Sequence, residues 1–308
     1  NLRCVYCMPL TGTTFAPAAE LLTAGEIETV TRAAVAVGFR KFRLTGGEPT
    51  LRADLLEIVE RLAHVPGVAD LAMTTNGVLL PKLARPLARA GLRRVNVHLD
   101  SLNPERLARV MRWGTLAEIW AGVEAAEAAG LHPMKLNAVI ARGFNEDDVV
   151  PLAALTLDRD WHVRFIETMP LGVGEAGELA RTRVVRSAEN RARLEAAFGP
   201  LAPLPRPDPA DESRNFRLPG GRGVVGFISP VSEPYCGSCN RMRLTADGHF
   251  HLCLLNDDEL DVRRALRGGA TLDGIGAILL RAVWGKPTGH RLAAGRSTEA
   301  REMFQIGG

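Results

Sequence analysis

KFRLTGGEP, residues 41–49, decides how this chain is read. KFRLT reads as a short buried strand. The two glycines after it let backbone approach closely, and Pro49 fixes the turn. A helix then follows Asp54, and LAMTT (71–75) is a second strand. Strand, tight turn, helix and strand make one right-handed crossover unit of a parallel sheet.

The same alternation extends outward in both directions. Upstream, Thr23-Ala24-Gly25-Glu26 is a capping box that opens a helix ending near Gly38. Downstream, 83–90 reads as helix, VNVHL (95–99) as strand, and Thr115 to Glu118 as a second capping box before a helix ending at Gly130. MKLNAVI (134–140) is a strand, 147–157 a helix and HVRFIET (162–168) a strand. Strands alternating with helices give an α/β fold with a parallel sheet. Five strands are counted, and one just before Asn1 would complete six units. The expected architecture is therefore an incomplete (β/α)6 TIM-like barrel whose first strand is missing from this chain. Its chemistry would sit at the carboxyl ends of the strands.

From residue 170 the pattern changes. Proline and charge interrupt it through 200–221. GVVGFIS (223–229) and RMRLT-ADG-HFHLCL (241–254) look like hairpin strands, with helices near 261–267 and 272–284. The expected division is a barrel domain over 1–169 and a smaller α+β region over 170–308 that closes the barrel's open side.

The chain has 308 residues, 46% of them hydrophobic, and a net charge of +3. That charge is too mild for nucleic acid but suits an anionic small molecule. Four lysines stand against 34 arginines, which draws attention to each lysine. No apolar run reaches the roughly 18 residues of a membrane span, and no secretory signal is visible. The five cysteines, Cys4, Cys7, Cys236, Cys239 and Cys253, fall in two clusters at opposite ends. An odd count without export signals argues for a reducing cytoplasm and for metal binding rather than disulfides. CVYC by itself suits zinc, a redox pair or part of an iron–sulfur cluster. CGSC followed by Cys253 offers three thiolates, which can hold three irons of a [4Fe–4S] cluster and leave one iron open. Zinc stays open as an alternative, held by Cys4, Cys7, Cys236 and Cys239, or by His251 with the three late cysteines.

The start resembles the C-x-x-x-C-x-x-C motif of radical S-adenosylmethionine (SAM) enzymes, with the first cysteine placed just before Asn1. Thr45-Gly46-Gly47-Glu48-Pro49 resembles the same superfamily's GGEP motif. CGSC, thirteen residues and Cys253, with Arg241-Met242-Arg243 between them and a Gly307-Gly308 end, are together similar to the radical SAM family that cyclises GTP in molybdenum cofactor biosynthesis.

That resemblance implies two [4Fe–4S] clusters and SAM as cofactors. Cys4 and Cys7 would carry the radical-generating cluster. Cys236, Cys239 and Cys253 would carry a second cluster whose open iron anchors the guanine. Tyr6, Gly47 and Met169 would contact SAM. So would His98, where the family usually has serine. Arg43, Thr74, Lys135, Asn137, Arg241, Met242 and Arg243 would receive GTP, and Gly307 with Gly308 would form an activating tail. Thr74, Asn76 and Asp100 are polar strand ends facing the same mouth. A deoxyadenosyl radical would take the 3′ hydrogen of GTP, C3′ would bond to C8, and no side chain would act as nucleophile. The implied partners are an electron donor such as flavodoxin or ferredoxin, a downstream cyclic pyranopterin monophosphate synthase, and a second copy in a homodimer.

Overall fold

The computed structural model describes residues 1–172, 174–290, 292 and 300–307. Its centre is an eight-stranded sheet. In chain order the strands are β1 (Lys41–Leu44), β2 (Asp70–Thr75), β3 (Arg94–His98), β4 (Lys135–Ile140), β5 (His162–Glu167), β6 (Ala202–Pro203), β7 (Arg214–Arg217) and β8 (Val224–Ile228). The spatial order is β1-β2-β3-β4-β5-β8-β7-β6. β1 to β5 pair in parallel, and β8 adds parallel to β5. β7 and β6 then run antiparallel at the edge. The parallel series thus takes its sixth strand from 223–229. That segment is both the hairpin partner read from the sequence and a member of the barrel sheet.

The crossovers are helical: α1 (Ala24–Ala36) precedes β1, and α2 (Leu55–Ala63), α3 (Leu80–Arg89), α4 (Pro104–Met111), α5 (Leu116–Ala128) and α6 (Val149–Asp158) follow. Both capping boxes form. Thr23 Oγ1 accepts from the Glu26 backbone N–H at 3.2 Å, and Thr115 Oγ1 accepts from that of Glu118 at 3.3 Å. Two helices, α7 (Gly174–Thr182) and α8 (Ser187–Phe198), occupy a stretch where the sequence reading placed no regular structure.

Strand alternation divides the sheet's faces. Leu71, Met73, Val95, Val97, Leu136, Ala138, Val163, Phe165, Val225 and Phe227 lie on one face and join the main core with the helices. The other face is polar. Register places Asn96 beside Thr74 and Lys135, Asn137 beside Arg164, and Arg164 beside Gly226. Arg43, Arg94 and His98 share that side.

The chain after β8 builds a second, smaller layer. β9 (Arg243–Leu244), β10 (His249–His251) and β11 (Glu259–Asp261) form a small antiparallel sheet. It packs with α9 (Arg263–Arg267) and α10 (Leu272–Trp284) against α1, through Val30, Ala33, Phe250, Ile275 and Leu279. A last short helix, α11 (Met303–Ile306), returns to the loop after β1, with Phe304 beside Gly47. Among the described residues no helix is long and apolar enough to cross a membrane.

Candidate active site

The N-terminal cysteines sit in a tight turn: the N–H groups of Cys7 and Met8 both donate to the Cys4 carbonyl, at 3.0 and 3.1 Å. Tyr6 between them is buried, and its hydroxyl donates to Asp100 Oδ2 at 2.7 Å. His98 Nε2 meets the same carboxylate oxygen at 2.9 Å and touches the Tyr6 hydroxyl. Asp100 is fully buried, and its Oδ1 accepts from the Val139 N–H at 2.8 Å. Burial would lower the His98 pKa, but Asp100 raises it to about 10. Cys4, His98 and Asp100 bring one ligand atom each to within 4.8 Å of one another. His98, sized and charged unlike a serine, is thus already engaged by Asp100.

GGEP serves partly as a brace. Glu48 Oε1 accepts from the Thr75 hydroxyl at 2.7 Å, and its Oε2 accepts from the Asn76 N–H at 2.8 Å. The motif therefore pins the end of β2. Gly47 faces the tail: a Cβ there would lie 3.6 Å from the Phe304 carbonyl.

The two ends of the sequence converge. Cys7, Met169 and Cys253 pack around Leu171, Leu255, Met303 and Ile306, so residues from both cysteine groups border α11. Cys236–Ser238 forms a single 3-10 turn, and the Cys239 N–H donates to the Cys236 carbonyl at 3.1 Å. All five cysteines are free and half-buried. Burial pushes the Cys253 thiol up, with Cys236 and Cys239 adding to the rise. Burial, with Glu302 and Asp100, takes Cys7 to about 12. Thiols so placed become thiolates when a cation claims them. The donor set of partly buried sulfurs in apolar surroundings fits iron–sulfur clusters. His251, the zinc alternative, meets Glu259 through Nδ1 at 3.0 Å, and its buried Nε2 has no partner among the described residues.

The polar sheet face gathers cations around one carboxylate. Glu212 lies 2.9 Å from Arg241, 3.4 Å from Arg164 and 3.9 Å from Arg43. Burial would raise Glu212, but Arg241, Arg164 and Arg43 hold it at about 2. Arg164 also donates from Nε to Asn137 Oδ1 at 2.9 Å, and burial brings it down to about 10. Lys135 falls to about 8, through burial first and then Arg164, Arg94 and Arg43. Asn96 is fully buried on this face, and neither atom of its carboxamide has a partner among the described residues. Thr74 is half-buried there.

Arg241 and Arg243 do not point to the same partner, and only Arg243 lies in β9. Arg241 turns to Glu212, whereas Arg243 Nε donates to the Gly307 carbonyl at 3.2 Å. Met242 packs its side chain into the apolar cluster between α1 and α10, away from these cations. Gly307 adopts φ 74°, and a Cβ there would lie 2.5 Å from Thr45 Cγ2. Gly308 lies outside the described residues. Sequence reasoning missed Arg164, Arg94 and Glu212. A signal existed for Arg94, which shares a strand face with His98, whereas Arg164 meets Asn137 only across the β4–β5 pairing.

Comparison with known proteins places the same residues in context. The family model described as Radical SAM superfamily matches residues 1–156, and Molybdenum Cofactor Synthesis C matches 161–292. The GTP 3′,8-cyclase of Pelotomaculum thermopropionicum is 48% identical over 308 residues, 100% of this chain and 94% of the relative. That of Moorella thermoacetica is 44% identical over the same shares of both chains. Among solved structures, methylornithine synthase aligns with a TM-score of 0.49 and 15% identity, over 64% of this chain and 58% of the other.

Proposed function

Because the chain belongs to the radical SAM superfamily and, within it, to the GTP 3′,8-cyclase family, we propose that it converts GTP to (8S)-3′,8-cyclo-7,8-dihydroguanosine 5′-triphosphate. It is a radical SAM enzyme of molybdenum cofactor biosynthesis, and membership implies a [4Fe–4S] cluster and SAM. The observation that carries the substrate reading is the cluster of Arg43, Arg164 and Arg241 around Glu212, with Lys135 close by. Arg164 is buried and Arg241 and Lys135 are half-buried, and cations gathered this closely are costly without an anion to meet them. A triphosphate is such an anion, and guanidinium groups grip it through paired N–H donors.

Cys4 and Cys7 would hold the cluster that, with SAM bound, supplies a 5′-deoxyadenosyl radical for abstraction of the 3′ hydrogen. Cys236, Cys239 and Cys253 would hold the second cluster, close to the guanine. The chain's own groups position and enclose. Tyr6, His98, Gly47 and Met169 line the SAM side, with Asp100 fixing the first two. Lys135, Asn137, Arg43, Arg164, Arg241 and Thr74 face the nucleotide. Arg243 holds the tail at the Gly307 carbonyl, beside Thr45 after β1. The expected reductant is a flavodoxin or ferredoxin, and the expected setting is the cytoplasm.

The test is to reconstitute the full-length protein with iron and sulfide without oxygen, then supply SAM and a reductant. 5′-Deoxyadenosine should form in step with a cyclised nucleotide when GTP is present. SAM cleavage that ignores GTP, with no new nucleotide, would contradict the reading.

A further inference from the structure

Glu212 raises a question the substrate reading does not answer: what does a carboxylate do in the middle of a phosphate cradle? Its side chain is 15% exposed and contacts three arginines from three separate elements: β1, β5 and the segment before β9. It is carried by the loop 204–213, between β6 and β7. That loop is bonded chiefly to itself. The Ala210 N–H donates to Asp208 Oδ1 at 3.0 Å, the Asp211 N–H to the Asp208 carbonyl at 3.0 Å, and the Ser213 N–H to Asp211 Oδ1 at 3.2 Å. Its two ends are anchored to β7, by the Leu204 N–H to the Asn215 carbonyl at 2.9 Å and the Ser213 hydroxyl to Asn215 Oδ1 at 2.7 Å; between them its ties are exchangeable ones, an exposed Lys41–Asp208 pair at 3.0 Å and a 2.7 Å bond from Arg241 to the Ala210 carbonyl.

We propose that Glu212 is an internal counter-anion, seated on the arginines of the ligand-free enzyme and displaced with its loop when the nucleotide's triphosphate takes those arginines over. This rests on the reading of the cradle as a triphosphate site. Three guanidinium groups gathered at one point, Arg164 buried and Arg241 half-buried, repel one another, and a carboxylate among them relieves that repulsion while the site is idle. A triphosphate brings several negative charges to the same donors. Glu212 cannot stay beside it, because like charges in a sheltered site exclude each other.

The consequence is selectivity. Displacing Glu212 lowers the apparent affinity of every ligand that needs the arginines, by the fraction of molecules in which the seat is open. Only a polyanion regains that loss. Guanosine, which has no phosphate, neither displaces Glu212 nor benefits from its removal.

The experiment titrates the reconstituted full-length protein with inorganic tripolyphosphate, GTP and guanosine, in the parent, Glu212→Gln, Glu212→Asp and Arg241→Ala. Glu212→Gln keeps the shape and removes the charge. It should bind tripolyphosphate and GTP on the order of tenfold tighter, leave guanosine unchanged, and melt lower than the parent without ligand. Glu212→Asp, which keeps the charge, should behave as the parent does. Hydrogen exchange in 204–213 of the parent should speed up when tripolyphosphate binds, a readout that needs no variant to fold. Equal or weaker polyphosphate binding by Glu212→Gln, or slower exchange in the loop, would overturn the proposal. Arg241→Ala separates the two levels. If it leaves tripolyphosphate affinity untouched, the triphosphate reading itself fails. If it weakens binding while Glu212→Gln does not tighten it, only the counter-anion role fails.

Discussion

Lys135 gives the most direct residue-level consequence. Burial and its arginine neighbours bring its pKa from the usual 10.5 to about 8. A bound triphosphate favours the charged form and raises that value again. Below about pH 8 the free enzyme already carries the proton, so GTP affinity should be flat. Above about 8 binding must recruit a proton, so affinity should fall. Titrations of the parent between neutral and alkaline pH, in buffers of differing protonation enthalpy, read both the fall and the proton uptake. Lys135→Arg should remove the alkaline fall, and Lys135→Met should lose roughly one to two orders of magnitude in affinity at neutral pH. Single residues were legible where their chemistry is written locally, as in the two cysteine clusters and GGEP. Arg164 was not, because an arginine within HVRFIET looks like an outward-facing strand residue until β8 closes on it. Glu212 sits in a proline-rich loop, and only the folded chain brings it to Arg43 and Arg241.

At the scale of elements, β8 joins the barrel to its cover. Gly226 lies between Arg164 of β5 and Asn215 of β7. A Cβ there would sit 2.2 Å from Ser213 Oγ, 2.9 Å from Asn215 Oδ1 and 3.1 Å from Arg164 Cγ. Gly226→Ala should cost about 1–3 kcal/mol in urea denaturation and weaken GTP binding, because it shifts Arg164 and the residue next to Glu212. Gly25→Ala, in the first turn of α1 with nothing within 4 Å, should be neutral or slightly stabilising. The tail is a second such element. Gly307→Ala meets Thr45 and requires a left-handed φ that alanine disfavours. It should keep full iron content and lose most cyclised product, measured side by side at equal iron. The capped helices α1 and α5 were readable because Thr and Glu stand three apart. The helix α8 begins after Arg186, which is no signal for a helix start. The helix α4 opens at Asn103-Pro104, a start that the sequence reading passed over.

At the scale of the molecule, two cysteine groups from opposite ends of the sequence meet around α11. The parallel order of the sheet was legible in the alternation of periods. A C-terminal part closing the barrel was expected as well, but not which residues would meet there, because the packing that joins Met169, Cys253 and Ile306 is a long-range fact with no local pattern to announce it. If the groups hold separate clusters, Cys253→Ala in the full-length protein should lose roughly four irons and keep the reduced-cluster signal that responds to SAM. Loss of that response together with the iron would mean the two sites assemble as one. In the proposed reaction GTP itself gives up its 3′ hydrogen in this barrel. The most direct measurement supplies GTP deuterated at C3′ to the reduced, SAM-loaded enzyme and weighs the 5′-deoxyadenosine produced. Deuterium carried into the deoxyadenosine is the expected result, and deoxyadenosine formed at normal turnover without it would contradict the account.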